Sequence, residues 1–368
     1  MIRRTAPIPQ PCTVPFERGI RHPDLWLWDS WVSRSVAGEL FLYCLALSRV
    51  GFDGSPILPA ARNDHSFHIR RFTSGDGGVT WIDRGVLLEP CNASDGADSF
   101  NVWSGSVFQA EADTAWFAYT GIRDVSLDQP FLQSICLIRS AGIDQFKDGR
   151  TFTVSCPIRD YDEITEKGYY LGPRDRLGHS AGEDGGPIMA WRDPYLVHDK
   201  DGQLNVFWSA KIGPAVPAIA RCIIREGEGG TVSAELMPSI QIPDAEEYSQ
   251  AEVPKLHFDA GINRWLLLIS ACNRMHESQP EDEVHMQQRL YLAETLEGPW
   301  RPFSKAGSKL AGLDEMFGSS VLSHNLSANE ISVLGPYTER ASDGLQLSFP
   351  EIRQLDLPQL DIPTEGAV

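Results

Sequence analysis

Five stretches of this chain open alike. "LWLWDSW" (25–31), "NVWSGSVFQ" (101–109), "AWRDPYLVHD" (190–199), "QAEVPKLHFD" (250–259) and "MFGSSVLSHN" (316–325) each start a block that runs through a turn, a strongly apolar segment, another short segment and a polar close. The apolar segments, such as "GELFLYCLALSRV", "TAWFAYTGI", "GQLNVFWSAKI", "NRWLLLISAC" and "NEISVLGPY", are short and rich in β-branched and aromatic residues, and turn residues such as "DKDG" and "DAGIN" bound several of them. Such segments read as strands joined by hairpins. Convincing helical periodicity is absent, which predicts an all-β chain. Repeats of roughly 50 to 90 residues made of short strands are the pattern of a propeller with four-stranded blades. The expectation is one five-bladed β-propeller over 21–360, preceded by an N-terminal extension (1–20) and followed by a tail (361–368), with disorder confined to the two ends.

A propeller carries a functional consequence. The innermost strand of every blade runs along the central axis, so residues at one place in successive inner strands face a shared funnel. On this alignment those places hold Asp29, Ser104, Asp193 and Glu252, and three carboxylates from distant parts of the chain converge. Two carboxyl groups, one ionised and one protonated, are what cleavage of a glycosidic bond requires, and a third can hold sugar hydroxyls. Trp28 and Trp103 would give a sugar ring flat apolar walls. Ser104 could donate a hydrogen bond that keeps Asp29 ionised, and Arg192 offers a forked donor. Strand alternation sends Trp26 and Trp28 to one face and Asp29 with Trp31 to the other, so Trp31 reads as structural.

Charge and composition narrow the partners. A net charge of −18 over 368 residues with no Lys/Arg cluster excludes nucleic acid and favours a neutral or cationic small substrate. No apolar run reaches membrane-spanning length, and Arg3 and Arg4 have no apolar stretch behind them, so a cytoplasmic protein is expected. The seven scattered cysteines show no CxxC pair and read as buried thiols. The nine histidines form no HxxxH or HxH pair, so no metal site is expected, and His65 and His68 read as packing or rim residues. "DKDGQ" (199–203) lacks the distal Glu of a calcium loop and reads as a hairpin turn. "GHSAG" (178–182) fits the nucleophile elbow of esterases, but Ser180 lies between loop-like segments where the elbow needs a strand and a helix. Oligomeric state leaves no mark in the sequence.

At the candidate residues the chain resembles a known family. "WLWDSW" is similar to the V-W-D-S/T-W nucleophile segment of glycoside hydrolase family 68, the levansucrases, inulosucrases and β-fructofuranosidases, one of the five-bladed propeller glycosidase families of clan J. "VWSGS" resembles its E-W-S-G segment, "WRDPYLV" its F-R-D-P-H-V segment, "QAEVPKLHF" its E/Q-x-E-R-P segment, and "RND" (62–64) a further stretch before a blade hairpin, all in family order. "SGDGGVTW" (74–81) resembles the Asp-box hairpin of propeller blades and "LEGPW" (296–300) the hairpin close of sugar-cleaving propellers. The resemblance implies a retaining enzyme on sucrose or a related β-fructofuranoside, needing no metal or organic cofactor. It implies Asp29 as nucleophile, Asp193 as transition-state stabiliser and Glu252 as acid/base. Trp28, Trp103, Ser104 and Arg192 would line the sugar site, with Gln250 near the leaving glucose and Asn273 and Arg274 on the acceptor side. Val253 stands where the family has arginine, and "MFGSSVL" lacks the family's tyrosine, so the likeness is fuller on the fructosyl side. Compactness favours hydrolysis or short transfer over long polymer synthesis. Two rival readings are a propeller glycosidase of arabinosyl or xylosyl substrates and a non-catalytic sugar-binding propeller.

Overall fold

The computed structural model describes residues 5–35, 37–91, 96–111, 114–123, 131–143, 145–178, 187–276, 278–338, 340 and 343–361. Five antiparallel sheets follow one another along the chain. Blade I contains β1 (Phe16–Glu17), β2 (Leu25–Arg34), β3 (Leu40–Ser48), β4 (His68–Ser74) and β5 (Thr80–Leu88). Blade II has β6 (Asn101–Glu111), β7 (Thr114–Ile122), β8 (Gln133–Ser140) and β9 (Arg150–Ser155). Blade III has β10 (Arg192–His198), β11 (Leu204–Gly213), β12 (Val216–Glu226) and β13 (Val232–Leu236). Blade IV has β14 (Gln250–Asp259), β15 (Arg264–Cys272), β16 (Met286–Ala293) and β17 (Arg301–Pro302). Blade V has β18 (Ser320–Asn325), β19 (Glu330–Leu334) and β20 (Arg353–Asp356). The protein is an all-β, five-bladed propeller, and each of the five openings in the sequence becomes an inner strand.

Five hydrophobic cores hold the ring, one between each pair of neighbours. Trp31, Tyr43 and Phe117 join blades I and II. Trp116, Trp191 and Trp208 join II and III, and Phe207, Leu256 and Leu267 join III and IV. Leu268, Leu290 and Val333 join IV and V, and Leu25, Leu42 and Leu334 join V to I. Each blade is therefore buried on both faces, which is why "LFLYCLALS" of β3 is buried at every position and shows no polar alternation. The ring also closes by backbone, since Ile20 and Phe349 exchange N–H···O bonds of 2.8 and 3.0 Å.

Three expectations change. Residues 5–17 include ordered chain: Phe16–Glu17 pairs with β5, the Cys12 amide donates to Asp83 (2.8 Å), and Arg70 donates to the Pro9 carbonyl (2.9 Å). One helix, α1 (Pro157–Glu166), follows β9 and buries Pro157 and Ile164 against the core between blades II and III. Among the described residues no helix is long and apolar enough to cross a membrane. Third, the alternation predicted along "WLWDSW" breaks at Asp29. Trp28 pairs with Leu45 and Ser30 with Cys44, so Asp29 is the extra residue of a β-bulge. The bulge resets the phase, and Trp28 and Trp31 face the same core although three residues apart.

The local signatures hold their shapes. In "SGDGGVTW" the Ser74 hydroxyl donates to Asp76 (2.8 Å) and accepts the Gly78 amide (2.8 Å), while Thr80 donates its amide to Asp76 (2.9 Å), closing the β4–β5 hairpin. Asp199 accepts the amides of Asp201 and Gln203 and makes "DKDGQ" the β10–β11 turn. Ser180 of "GHSAG" lies outside the described residues.

Candidate active site

The bulge recurs in all five inner strands, with register breaks at Trp28/Ser30, Trp103/Gly105, Arg192/Tyr195, Glu252/Lys255 and Val321/Ser323. The last paired residue before the break is Trp28, Trp103, Arg192 or Glu252 in blades I to IV, and the residue after it is Asp29, Ser104, Asp193 or Val253. Glu252 therefore does not share the place of Asp29 and Asp193, as simple alignment predicted. It pairs with Ser270 as Arg192 pairs with Ser209, and Val253 holds the bulge. Asp29 (φ 38°), Asp193 (φ 62°) and Val253 (φ 50°) all have left-handed backbone. Aspartate tolerates this; a β-branched valine is strained.

These two places bring the predicted residues together from separate blades. Ser104 donates to Asp29 Oδ2 at 2.6 Å. Asp193 is buried, and its Oδ2 accepts the Ser209 hydroxyl (3.1 Å) and the Val253 amide (3.1 Å), while its own amide donates to Thr120 Oγ1 (2.8 Å). Arg192 lies between the acids, with Nη2 3.4 Å from Glu252 Oε1 and Nε 3.9 Å from Asp193 Oδ2, and is anchored by donating to the Met189 carbonyl (2.8 Å). Burial pushes the Asp29 carboxyl up, against the Ser104 hydrogen bond, and the negative field of Glu252 pushes the same way. Burial also raises Asp193, opposed first by the Arg192 guanidinium and reinforced by Glu252 and Asp29. Asp29 thus senses Glu252, and Asp193 senses both, as groups on one site do.

An aromatic wall flanks the acids. Trp28 meets Phe67 edge-on at 4.8 Å, and Phe67 lies parallel to Trp103 at 6.4 Å with planes 13° apart. The Arg192 guanidinium stands 6.0 Å from the Trp103 ring centre. Behind Asp29 lies Gly318, whose carbonyl accepts both the amide (3.1 Å) and hydroxyl (2.9 Å) of Ser30 and whose amide donates to Ser270 (2.8 Å). A Cβ there would lie 2.7 Å from Asp29 Oδ1, so glycine is required. Phe67, Thr120, Ser209 and Gly318 escape sequence reasoning because each belongs to an ordinary strand or turn; only the glycine in "MFGSS" gave a signal.

On the acceptor side the placement is mixed. Gln250 is buried and donates to the Arg274 carbonyl (3.0 Å), with its Oε1 unpartnered. The Arg274 carbonyl also accepts the Ser249 hydroxyl (2.6 Å). Asn273 instead braces its own loop, donating to the Glu283 carbonyl (2.9 Å) and accepting the His285 amide (2.7 Å). Both ends of that amide are engaged within the loop, which argues against the sugar contact assigned to it.

Other features stand apart from this centre. His68 is buried, with its pKa lowered to about 3 by burial. Cys12, His22 and Asp24 bring ligand-type atoms within 4.8 Å of one another. Yet His22 Nδ1 accepts the Asp24 amide (3.1 Å), which leaves the proton on Nε2, the atom a metal would need. The cluster is a latch for the N-terminal segment. A cavity of about 420 Å³ lined by Thr5, Pro7, Ser66, His68 and Glu89 contains none of the three acids. Cys44, Cys136, Cys222 and Cys272 are buried, undisulfided thiols, their ionisation opposed by burial.

No family model and no curated protein matches the sequence. The fold matches solved structures over nearly its whole length. An inulosucrase from Halalkalicoccus jeotgali bound to kestose aligns at TM-score 0.65 and 16% identity, over 97% of this chain and 90% of that one. The Bacillus subtilis levansucrase aligns at 0.60 and 16%, over 91% and 85%. A levansucrase complexed with sucrose aligns at 0.59 and 16%, over 91% and 85%.

Proposed function

We propose that the protein is a retaining β-fructosidase or fructosyltransferase that acts on sucrose or a related β-fructofuranoside through a covalent fructosyl-enzyme. The observation that carries this reading is the joining of Asp29, Asp193 and Glu252, from three blades, by Ser104 and Arg192 beside the Trp28–Phe67–Trp103 wall. That is a set of electrostatically coupled carboxylates beside a surface suited to a sugar face. Proteins of the same fold are described bound to kestose and to sucrose, which supports a fructosyl substrate over a pentosyl one.

In this reading the Asp29 carboxylate attacks the anomeric carbon of the fructosyl unit while Glu252 delivers its proton to the departing oxygen. The glycosidic electron pair leaves with that oxygen, and an ester joins fructose to Asp29. Glu252, now a carboxylate, takes a proton from water or an acceptor hydroxyl, which attacks the same carbon and frees Asp29. Asp193, fixed by Ser209 and the Val253 amide, binds fructose hydroxyls through the oxocarbenium-like transition state. Gln250 and the Arg274 backbone lie toward the leaving group.

The test is incubation with sucrose, raffinose, levan, inulin and aryl-pentosides, resolving free glucose from free fructose; glucose in excess of fructose reports transfer. Asp29→Ala and Glu252→Ala should each lower turnover by several orders of magnitude with the fold retained. Undiminished fructoside cleavage by either variant, or cleavage of pentosides alone, would overturn the reading.

A further inference from the structure

Just past its bulge, β14 carries a residue that its burial does not explain. Lys255 pairs with Leu268, is 1% exposed, and its Nζ has no hydrogen-bond partner among the described residues. Its cross-strand partner on the same face, Leu268, packs in the apolar core between blades IV and V, so an apolar side chain is at home on this face. An ammonium stripped of water and left unpaired is costly, so a lysine at this place needs a compensating field. The strands bring the acids to this place: two residues before Lys255 the Val253 amide donates to Asp193 Oδ2 (3.1 Å), and on the paired strand Ser270, two residues from Leu268, accepts the amide of Gly318, which lies against Asp29. The compensating charges are Asp29 on β2 and Asp193 on β10, both electrostatically coupled to Lys255. The remaining ionisable groups around it are Arg192 on β10, Glu252 and His257 on β14, His324 on β18 and, toward Asp29, Arg62.

We infer that Lys255 is a positioning residue of the fructosyl-transfer site, a buried counter-charge to Asp29 and Asp193 that holds Asp29 in its ionised, nucleophilic form. The inference rests on the function proposed above. The charge account supports it. With Glu252 protonated for the first step, two aspartates remain; Arg192 and Lys255 are the buried cations that balance them, with half-buried Arg62 contributing toward Asp29, so without Lys255 the centre loses one of its two buried positive charges. Burial lowers the Lys255 pKa to about 7, while Asp29 and Asp193 pull it back toward the charged form.

The test compares wild type with K255M, K255Q and K255R. Removing the positive charge raises the pKa of Asp29, so the acid limb of kcat/KM against pH should move up by about one unit in K255M and K255Q. Below the limb that is roughly a tenfold loss, and it should fade above the limb, where Asp29 is ionised in either case. K255R should keep the wild-type limb. An unshifted limb in the neutral variants, or an arginine variant that behaves like them, overturns the inference; if K255M does not fold, K255Q gives the same readout. A second measurement is independent of activity. Carboxyl ¹³C NMR of aspartate-labelled protein, with Asp29 and Asp193 assigned through D29N and D193N, should show Asp29 titrating at higher pH in K255Q. A protein inert toward fructosides whose Asp29 resonance still moves with Lys255 would refute the function and leave the electrostatic coupling standing; an unmoved resonance refutes the coupling.

Discussion

Gly318→Ala tests the architecture behind Asp29 most directly. The new Cβ would sit 2.7 Å from Asp29 Oδ1, 2.9 Å from Asp29 Cα and 3.4 Å from Asp29 Cγ. The glycine cannot retreat, because its carbonyl is held by Ser30 and its amide by Ser270. Relief must come from Asp29, which moves by roughly 0.5–1 Å to reach ordinary contact, at the expense of its 2.6 Å bond from Ser104. A displacement of that order at a reacting group costs about 10²-fold in rate. Gly318 also has φ +70°, and a left-handed alanine adds about 1–2 kcal/mol of backbone strain. Gly312→Ala separates the two effects, since Gly312 has φ +81° with nothing within 4 Å of a Cβ. Both variants should lose the backbone contribution in urea unfolding, and Gly318→Ala more, by the contact with Asp29. Only Gly318→Ala should lose about 10²-fold in kcat for fructoside cleavage. A Gly318→Ala enzyme within twofold of wild type would refute the claim that this glycine positions a reacting carboxylate.

Two further outcomes follow from the same coordinates. Ser104→Ala removes a charge-assisted hydrogen bond worth about 1.5–3 kcal/mol, and because that bond favours ionised Asp29, the acid limb of kcat/KM should rise by about one to two pH units; a fixed limb would show the hydroxyl to be merely structural. His68 is buried and His257 half-buried with its ring nitrogen inside, and desolvation lowers both pKa values to about 3, so both stay neutral in the fold while the unfolded chain takes up protons below about pH 6.5. Stability should therefore fall with decreasing pH from about 6.5 toward 3, and His257→Gln should reduce the slope by about one proton, or ~1.4 kcal/mol per pH unit, in urea titrations at stepped pH.

The ring was legible in the sequence because each inner strand repeats a visible opening, and because β3, β11 and β15 are apolar enough to be strands buried on both faces. Asp29, Ser104, Asp193, Arg192, Trp28 and Trp103 were legible for the same reason, as positions in a repeat. Helix α1 was not, since its ten residues are mostly polar and bury only Pro157 and Ile164, too few apolar positions to stand out as a period. The bulges were hidden too. Asp29 and Asp193 are residue types that accept left-handed backbone, but Val253 is not, so the register of Glu252 could not be read from its neighbours. Phe67, Gly318 and Lys255 acquire meaning only through contacts or fields from other blades, which no local pattern encodes.

The three tryptophans around Asp29 follow from the same geometry. In a closed ring both faces of an inner strand belong to inter-blade cores, so a regular strand residue points into one core or the other and is apolar or fully hydrogen-bonded. Leu25 and Leu27 face the core between blades V and I, while Trp28 and Trp31 face the core between I and II. A charged side chain on either face would meet the desolvation that excludes unpaired charge from cores. The bulged aspartates, Asp29 and Asp193, belong to neither face. Their side chains are released toward the axis, where polar and charged groups compensate them, Ser104 of blade II and Lys255 of blade IV for Asp29 and the neighbouring Arg192 for Asp193. Repeating the bulge in every blade therefore lets a thoroughly hydrophobic ring present a cluster of acids at its centre, with the strain confined to a few left-handed residues. The strained Val253 fits this account: its amide is donated to Asp193, so the distortion of the fourth inner strand orients an acid carried by the third.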